Sequence, residues 1–220
     1  MIGGWRDALF VDRRDAGLRL AAALSDLARS DVLVLAIPRG GVEVGATVAD
    51  ALGAPLDVVI PRKIGAPGNP ELGLGAVAGP VEVIDARLVA QLGVSSQYLR
   101  AEIEAQRWEI GRREGLYRGD RPPLSVRGRV AVVVDDGVAT GGTAAAALRL
   151  ARSQGAERVV LAVPVGPPHA VERLSEEADE VRMLHTPEPF YAVGQWYRDF
   201  PQVTDEEVIH MLAARVRGSS

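Results

Sequence analysis

Short, uninterrupted apolar runs constrain this chain more than any other feature. The clearest are Val32-Leu33-Val34-Leu35-Ala36-Ile37, Val130-Ala131-Val132-Val133-Val134 and Val159-Val160-Leu161-Ala162-Val163, the last within a strand expected over 158–163. A run of this length without polar alternation marks a strand buried on both faces. Leu56-Asp57-Val58-Val59-Ile60 and residues 180–184 add two more strands. Between them lie helical patterns. Leu18, Leu20, Ala21, Leu24 and Leu27 form a stripe over Arg13 to Ser30, and further helices are expected over 42–52, 142–153 and 168–177. Buried strands alternating with helices predict an α/β fold, with a parallel sheet covered by helices on both faces.

Other segments depart from that rhythm. Ile64 to Pro80 is rich in Gly and Pro and reads as a long, partly mobile loop, with Val77-Ala78 and Val81–Ile84 forming a short hairpin across Gly79-Pro80. Ser96 to about Arg113 is expected to be helical, with Leu99, Ile103, Gln106 and Ile110 on one face. Phe190 to Phe200 is the one aromatic cluster. Thr204-Asp205-Glu206-Glu207 has the form of a capping box that starts a last helix.

Composition narrows the function classes. The chain has 220 residues, 47% of them hydrophobic, enough for a single domain over 1–220 with a real core. We divide it into a core of about 10–185 and a closing segment with a terminal helix at about 186–216. The net charge of -4 gives no general reason to bind nucleic acid or an anionic membrane. The arginines between Arg107 and Arg129 read as a solvated helix and loop. With no cysteine, disulfides, thiolate metal sites and a cysteine nucleophile are excluded. His169, His185 and His210 lack metal-ligand spacing and are expected to be structural or surface residues. No apolar run reaches the ~20 residues that span a bilayer. Met1–Asp7 lacks the basic and apolar regions of a signal peptide, so a soluble cytoplasmic protein is expected, with Arg217–Ser220 as a frayed end.

Four segments carry the candidate chemistry, and parallel α/β folds gather such segments at the carboxyl ends of the strands. The strand over 130–134 runs into Asp135-Asp136, then Gly137-Val138-Ala139-Thr140-Gly141-Gly142-Thr143 opens a helix. Adjacent carboxylates repel one another, so such a pair at a strand end suits a metal or sugar hydroxyls. A Thr/Gly loop before a helix offers N–H groups, hydroxyls and the positive helix end to an anion. Together they suggest a sugar phosphate. Arg39-Gly40-Gly41, after the first strand, is a tight turn with a fixed positive charge. Arg62-Lys63 puts two cations at the end of the second strand, followed by a lid-like loop to Gly75 in which Glu71 is the one carboxylate, a candidate acid/base. The aromatic segment suits stacking on a planar base. No Walker motif is present, and Gly73-Leu74-Gly75 lacks the strand and helix of a dinucleotide fingerprint.

The strand, acidic pair and Val-Ala-Thr-Gly-Gly-Thr loop resemble the PRPP-binding signature of type I phosphoribosyltransferases, where PRPP is 5-phosphoribosyl 1-pyrophosphate. The resemblance covers roughly residues 10 to 212 in its order of elements. It implies a five-stranded parallel sheet in the order 3-2-1-4-5, flanked by helices, with a small hood. It also implies that Asp135 and Asp136 hold the ribose hydroxyls, and that Val138, Ala139, Thr140, Gly141, Gly142 and Thr143 form the 5′-phosphate loop. Pyrophosphate would fall to Arg39, Gly40, Gly41, Arg62 and Lys63. Phe190 to Phe200 resembles the base-binding hood of hypoxanthine-guanine enzymes, which implies base contacts from Phe190, Tyr191 and Val193. Mg²⁺ would then be held near Asp135, Asp136 and Asp199. Gly137 stands where an apolar residue is usual, implying a more flexible loop. Ala139 is similar to the residue that adenine enzymes use, whereas the hood points to 6-oxopurines, so the acceptor stays open.

The implied activity is transfer of 5-phosphoribose from PRPP to a nitrogenous base, purine-like by preference, with release of pyrophosphate. The alternative from another class is a PRPP- or nucleotide-sensing regulatory protein without catalysis. A homodimer is expected from the resemblance alone.

Overall fold

Alternate residues of each apolar run enter opposite cores, which is why the runs are continuous. The computed structural model describes residues 8–216, so the Met1–Asp7 start and the Arg217–Ser220 end, read above for signal and fraying, lie outside the described residues. In β1 (Val32–Ala36), Val32, Val34 and Ala36 face one core while Leu33 and Leu35 face the other. In β6 (Val130–Val134), Val132 and Val134 divide from Ala131 and Val133 in the same way. Each fully buried valine is worth roughly 1.5–3 kcal/mol relative to an exposed one.

One five-stranded sheet is parallel throughout. Its order is β2 (Leu56–Val58), β1, β6, β7 (Arg158–Val165), β8 (Glu180–His185). The first core lies under α1 (Arg13–Ala23), α2 (Gly40–Leu52), α4 (Ser96–Arg118) and α7 (Asp205–Val216). The second lies under α5 (Gly142–Ser153) and α6 (Pro168–Ser175). The predicted α/β class is therefore the observed one.

The implied strand order is corrected. Counted along the chain, the five parallel strands stand 2-1-3-4-5, not 3-2-1-4-5. After β2 the chain leaves the sheet, and it returns as β6 on the free side of β1, with Val34 opposite Val132. The excursion is a separate antiparallel sheet of β3 (Arg62–Ala66), β4 (Asn69–Ala78) and β5 (Val81–Ile84).

That sheet replaces the loop expected over Ile64–Pro80. Glycine content argued for a loop, but tertiary packing decides otherwise. Ile64, Leu74, Ala76, Val77 and Ala78 are buried. Several glycines serve close backbone approach: a Cβ on Gly65 would lie 2.8 Å from Pro70 Cα, where the β3–β4 register shifts. The short hairpin across Gly79-Pro80 is present and longer than expected, from Gly75↔Ile84 to Ala78↔Val81.

Other boundaries moved modestly. α1 stops at Ala23 and a 3-10 turn covers Ser25–Arg29. A short α3 (Ala86–Gln91), capped by Asp85, was not expected. α4 runs on to Arg118, and its arginines are not merely solvated. Arg107 reaches Glu82, and Arg118 pairs with the buried Asp57 at 2.9 Å. The predicted capping box forms: Glu207 N–H donates to Thr204 Oγ1, and Thr204 N–H donates to Glu207 Oε2 at 2.7 Å. Among the described residues no helix is long and apolar enough to cross a membrane.

Candidate functional site

Strand order creates the crevice. The chain leaves β1 toward β2 on one side and leaves β6 toward β7 on the other, so the loops after these adjacent strands diverge at their carboxyl ends. Ligands in open parallel sheets bind at such a switch point. Pro38–Gly41, which includes a cis Pro38–Arg39 peptide bond, forms one wall and Asp135–Gly142 the other. They touch. A Cβ on Gly41 would lie 2.8 Å from Asp135 Cα and 2.9 Å from Val134 O, and a Cβ on Gly40 would clash with Asp136 Oδ2. Both glycines are thus required by close approach, as their pairing in the sequence suggested.

Two helices point their N-termini into this crevice, α2 from Gly40 and α5 from Gly142. Each presents free N–H groups and a partial positive charge to an anion. Gly141, the residue before α5, has φ +76, a left-handed conformation that favours glycine. A Cβ on Gly142 would meet nothing within 4 Å, so open space lies above the start of α5. Ala139 and Thr140 are exposed, and Thr143 is half-buried. Val138 anchors the loop through its N–H to Val165 O at 2.9 Å. Arg173, not singled out in the sequence, donates to Thr140 O at 3.1 Å and supports the loop from α6.

The acidic pair is asymmetric. Asp136 Oδ2 accepts from Arg13 Nε at 2.8 Å, and Asp136 N–H donates to Asp135 Oδ1 at 2.8 Å. Burial pushes the Asp135 carboxyl well above the usual carboxylate range, and the neighbouring Asp136 charge adds to it. Burial also raises Asp136, but there the Arg13 guanidinium opposes the rise. Arg13 is 5% exposed and was missed in the sequence, where it looked like one polar residue in a helical stripe. Its delivery is a packing effect. Gly17 brings α1 so near α2 that a Cβ there would lie 2.7 Å from Thr47 Cβ.

The remaining candidates separate into two groups. Arg39 stays at the crevice, with its guanidinium 4.0 Å from Asp205 Oδ1 at the start of α7. Tyr117 holds that carboxylate through a 2.6 Å hydrogen bond. Burial and this bond push the Tyr117 hydroxyl up to about 12. Arg62 and Lys63 follow closely after Val59, whose N–H donates to Ala36 O, yet both face elsewhere. Arg62 Nε donates to Gln106 Oε1 at 2.9 Å on α4, while Lys63 pairs with Glu71 at 3.0 Å. Glu71 is 92% exposed on β4. The structure brings none of these three into contact with the acidic pair.

The hood closes over the other wall. Val193, in a 3-10 turn over Val193–Trp196, packs where a Gly137 side chain would be; a Cβ there would lie 2.6 Å from Val193 Cγ1. Gly137 is buried, so its lack of a side chain serves this packing and not the flexibility expected from sequence. Tyr197, also missed, donates its hydroxyl to Asp136 O at 2.6 Å. Phe190 is half-buried against Trp196, their centroids 6.0 Å apart, whereas the Tyr191 side chain is 82% exposed. Asp199 is exposed, and its N–H donates to Val11 O. Among the described residues no three His, Asp or Glu side chains gather as a metal cluster, so Asp199 does not complete a cage with the acidic pair. His185 is structural, its ring edge-on to Phe10 at 5.6 Å.

The family model for a phosphoribosyl transferase domain matches residues 13–195. A Mycobacterium tuberculosis protein, provisionally named a phosphoribosyl transferase, is 47% identical over 205 residues, 93% of this chain; the chain spans 46% of that protein's length. The crystal structure of TT1426 from Thermus thermophilus is 47% identical, superimposes with a TM-score of 0.80, and is matched over 94% of this chain and 98% of its own. A ribose-phosphate pyrophosphokinase of Mycobacterium leprae is 38% identical over 95 residues, covering 42% of this chain and 28% of its own length. With a family model spanning both walls of the crevice, this chain belongs to the type I phosphoribosyltransferase family.

Proposed function

We propose that the protein transfers 5-phosphoribose from PRPP to a nitrogen nucleophile on a purine-like base and releases pyrophosphate. One observation carries the reading: a pair of carboxylates sits between two helix N-termini, each opened by glycine. A molecule with a sugar diol in the middle and an anionic group at each end matches that arrangement. The N–H groups and hydroxyls of Thr140, Gly141, Gly142 and Thr143 would donate to the 5′-phosphate. Asp135 and Asp136 would accept from the ribose hydroxyls. The Arg39-Gly40-Gly41 turn would bind pyrophosphate.

In the reaction the C1–O bond to pyrophosphate breaks with its electron pair, a bond from C1 to the acceptor nitrogen forms, and the proton of that nitrogen passes to the leaving pyrophosphate or to water. The ring gains oxocarbenium character, as in glycoside chemistry. Positioning and charge stabilisation do most of the work. The carboxylates orient the sugar and face the developing positive charge. Arg39, joined by Arg62 and Lys63 if the β3–β4 hairpin closes, neutralises the leaving group, and closure excludes competing water. Tyr191, with its exposed ring, is the platform proposed for the base, beside Phe190 and the Val193 backbone.

The donor set suits Mg²⁺ in part. The pair offers only oxygens, which a hard cation prefers, and with no third carboxylate clustered beside it among the described residues the remaining ligands would be substrate oxygens and water. The ion would neutralise charge on the leaving pyrophosphate. Cytoplasmic salvage chemistry and a homodimer belong to the same proposal.

The sensor reading draws on a different observation. Glu71, the acid/base candidate, is occupied by Lys63 at an exposed hairpin. Pyrophosphate release from PRPP, measured against a panel of purine and pyrimidine bases, decides between the two. Turnover with at least one base is expected, whereas tight PRPP binding without release for any base would overturn transfer in favour of sensing.

A further inference from the structure

The acidic loop and the hood meet at one buried side chain. Arg13 Nε donates to Asp136 Oδ2 at 2.8 Å, and its Nη1 donates to Pro201 O at 2.6 Å. The guanidinium carbon lies 3.8 Å from the centroid of the Phe200 ring, a stacked cation–π contact. A Cβ on Gly40 would lie 2.8 Å from Arg13 Nε, so the pyrophosphate-side turn also abuts this group. Tyr197 fixes the backbone carbonyl of the same Asp136 from the hood side. Three separate segments, the Gly40 turn, the end of β6 and the hood, therefore converge on the one guanidinium that α1 delivers.

This convergence exceeds what an ordinary structural ion pair needs. A planar guanidinium can hold several acceptors at once in fixed relative directions, because its N–H groups are rigidly joined; a lysine offers a single point charge. Here Nε alone meets Asp136 while Nη1 and the flat face are held by Pro201 and Phe200, so the Asp136 carboxylate is tied to the placement of the hood.

We propose that Arg13 is the positioning residue of the ribose site. It sets the orientation of the Asp136 carboxylate and couples it to the hood, so that the sugar and the base are held in register. The proposal rests on the PRPP reading above. Arg13 itself touches no substrate; it acts through Asp136.

The test compares two probes on the full chain by calorimetry and NMR titration. PRPP with Mg²⁺ engages the acidic pair, whereas inorganic phosphate, followed at the Thr140–Thr143 amides, occupies an anion cradle without the acidic pair. Arg13→Ala is expected to weaken PRPP at least 30-fold and to leave phosphate within twofold of wild type. Millimolar guanidinium, which can refill the vacated space, should recover at least tenfold of the PRPP affinity. Arg13→Lys, which retains charge and the fold more safely, should lose five- to tenfold. If both variants bind PRPP within twofold of wild type, the proposal is overturned. Parallel loss of phosphate and PRPP, without guanidinium recovery, would also overturn it by showing a role in folding alone. Failure of wild type to bind PRPP would instead reject the functional reading, and the positioning role with it.

Discussion

The β6–α5 cradle and the β3–β4 hairpin hold candidate residues for the same ligand, but they are built differently. The cradle is made of backbone. Its shape comes from Gly141 at φ +76, from Gly40 and Gly41 pressed against the acidic pair, and from a central strand buried on both sides. The hairpin presents side chains. Arg62, Lys63 and Glu71 reach outward and are satisfied by Gln106 and by one another. A backbone site is preorganised before ligand arrives, whereas a side-chain site at an exposed hairpin must exchange partners to act. The difference predicts that cradle substitutions alter stability and binding together, while hairpin substitutions alter function alone.

The largest effect is expected from Asp136→Ala. It strands the buried Arg13 guanidinium, and breaking a buried pair costs roughly 3–5 kcal/mol. Chemical denaturation should show that loss; a change below about 1 kcal/mol would mean that Arg13 finds another acceptor. Gly40→Ala comes next. Its methyl group must displace the Asp136 carboxylate, and overpacking of this kind costs about 1–3 kcal/mol. Denaturation paired with PRPP titration should show both quantities falling.

Asp135→Asn should act in the opposite direction. The Asp135 carboxyl is raised by burial and by Asp136, so the folded state holds its proton more tightly than the unfolded chain does. Stability from this group is full below the unfolded value, about 4, and is lost as pH rises through the folded value. A neutral isostere removes that loss. The variant should melt higher than wild type at neutral pH and converge with it below pH of about 4. A lower melting temperature at neutral pH would contradict the account. The smallest stability effect belongs to the hairpin. Lys63→Ala and Glu71→Gln break an exposed ion pair worth about 0–1 kcal/mol, so melting should barely move while PRPP turnover falls. Equal losses in both would erase the contrast between the two regions.

Legibility in the sequence follows the same division. The parallel sheet could be read because continuous apolar runs have few other uses, and the cradle because Asp135 to Thr143 is contiguous. The hairpin was misread because its strands owe their existence to packing of Ile64, Leu74 and Val77 under α4 and of Ala76 and Ala78 under α5, which glycine content conceals. Arg13 and Tyr197 were invisible for a related reason. Arg13 lies 123 positions from the carboxylate it holds and Tyr197 lies 61 from the carbonyl it caps, and no local pattern announces either contact. Strand order was likewise a matter of tertiary choice, since no local pattern shows that β6 pairs with β1 across the intervening antiparallel sheet.

The central claim is that the crevice between β1 and β6 holds the ribose and phosphates of PRPP. The double variant Asp135→Asn, Asp136→Asn tests it most directly, because it keeps side-chain shape while removing both charges. The account predicts a folded protein whose PRPP turnover is abolished, with wild type active in the same assay. Turnover of PRPP by the double variant at the wild-type rate would show that the acidic pair is not the ribose site.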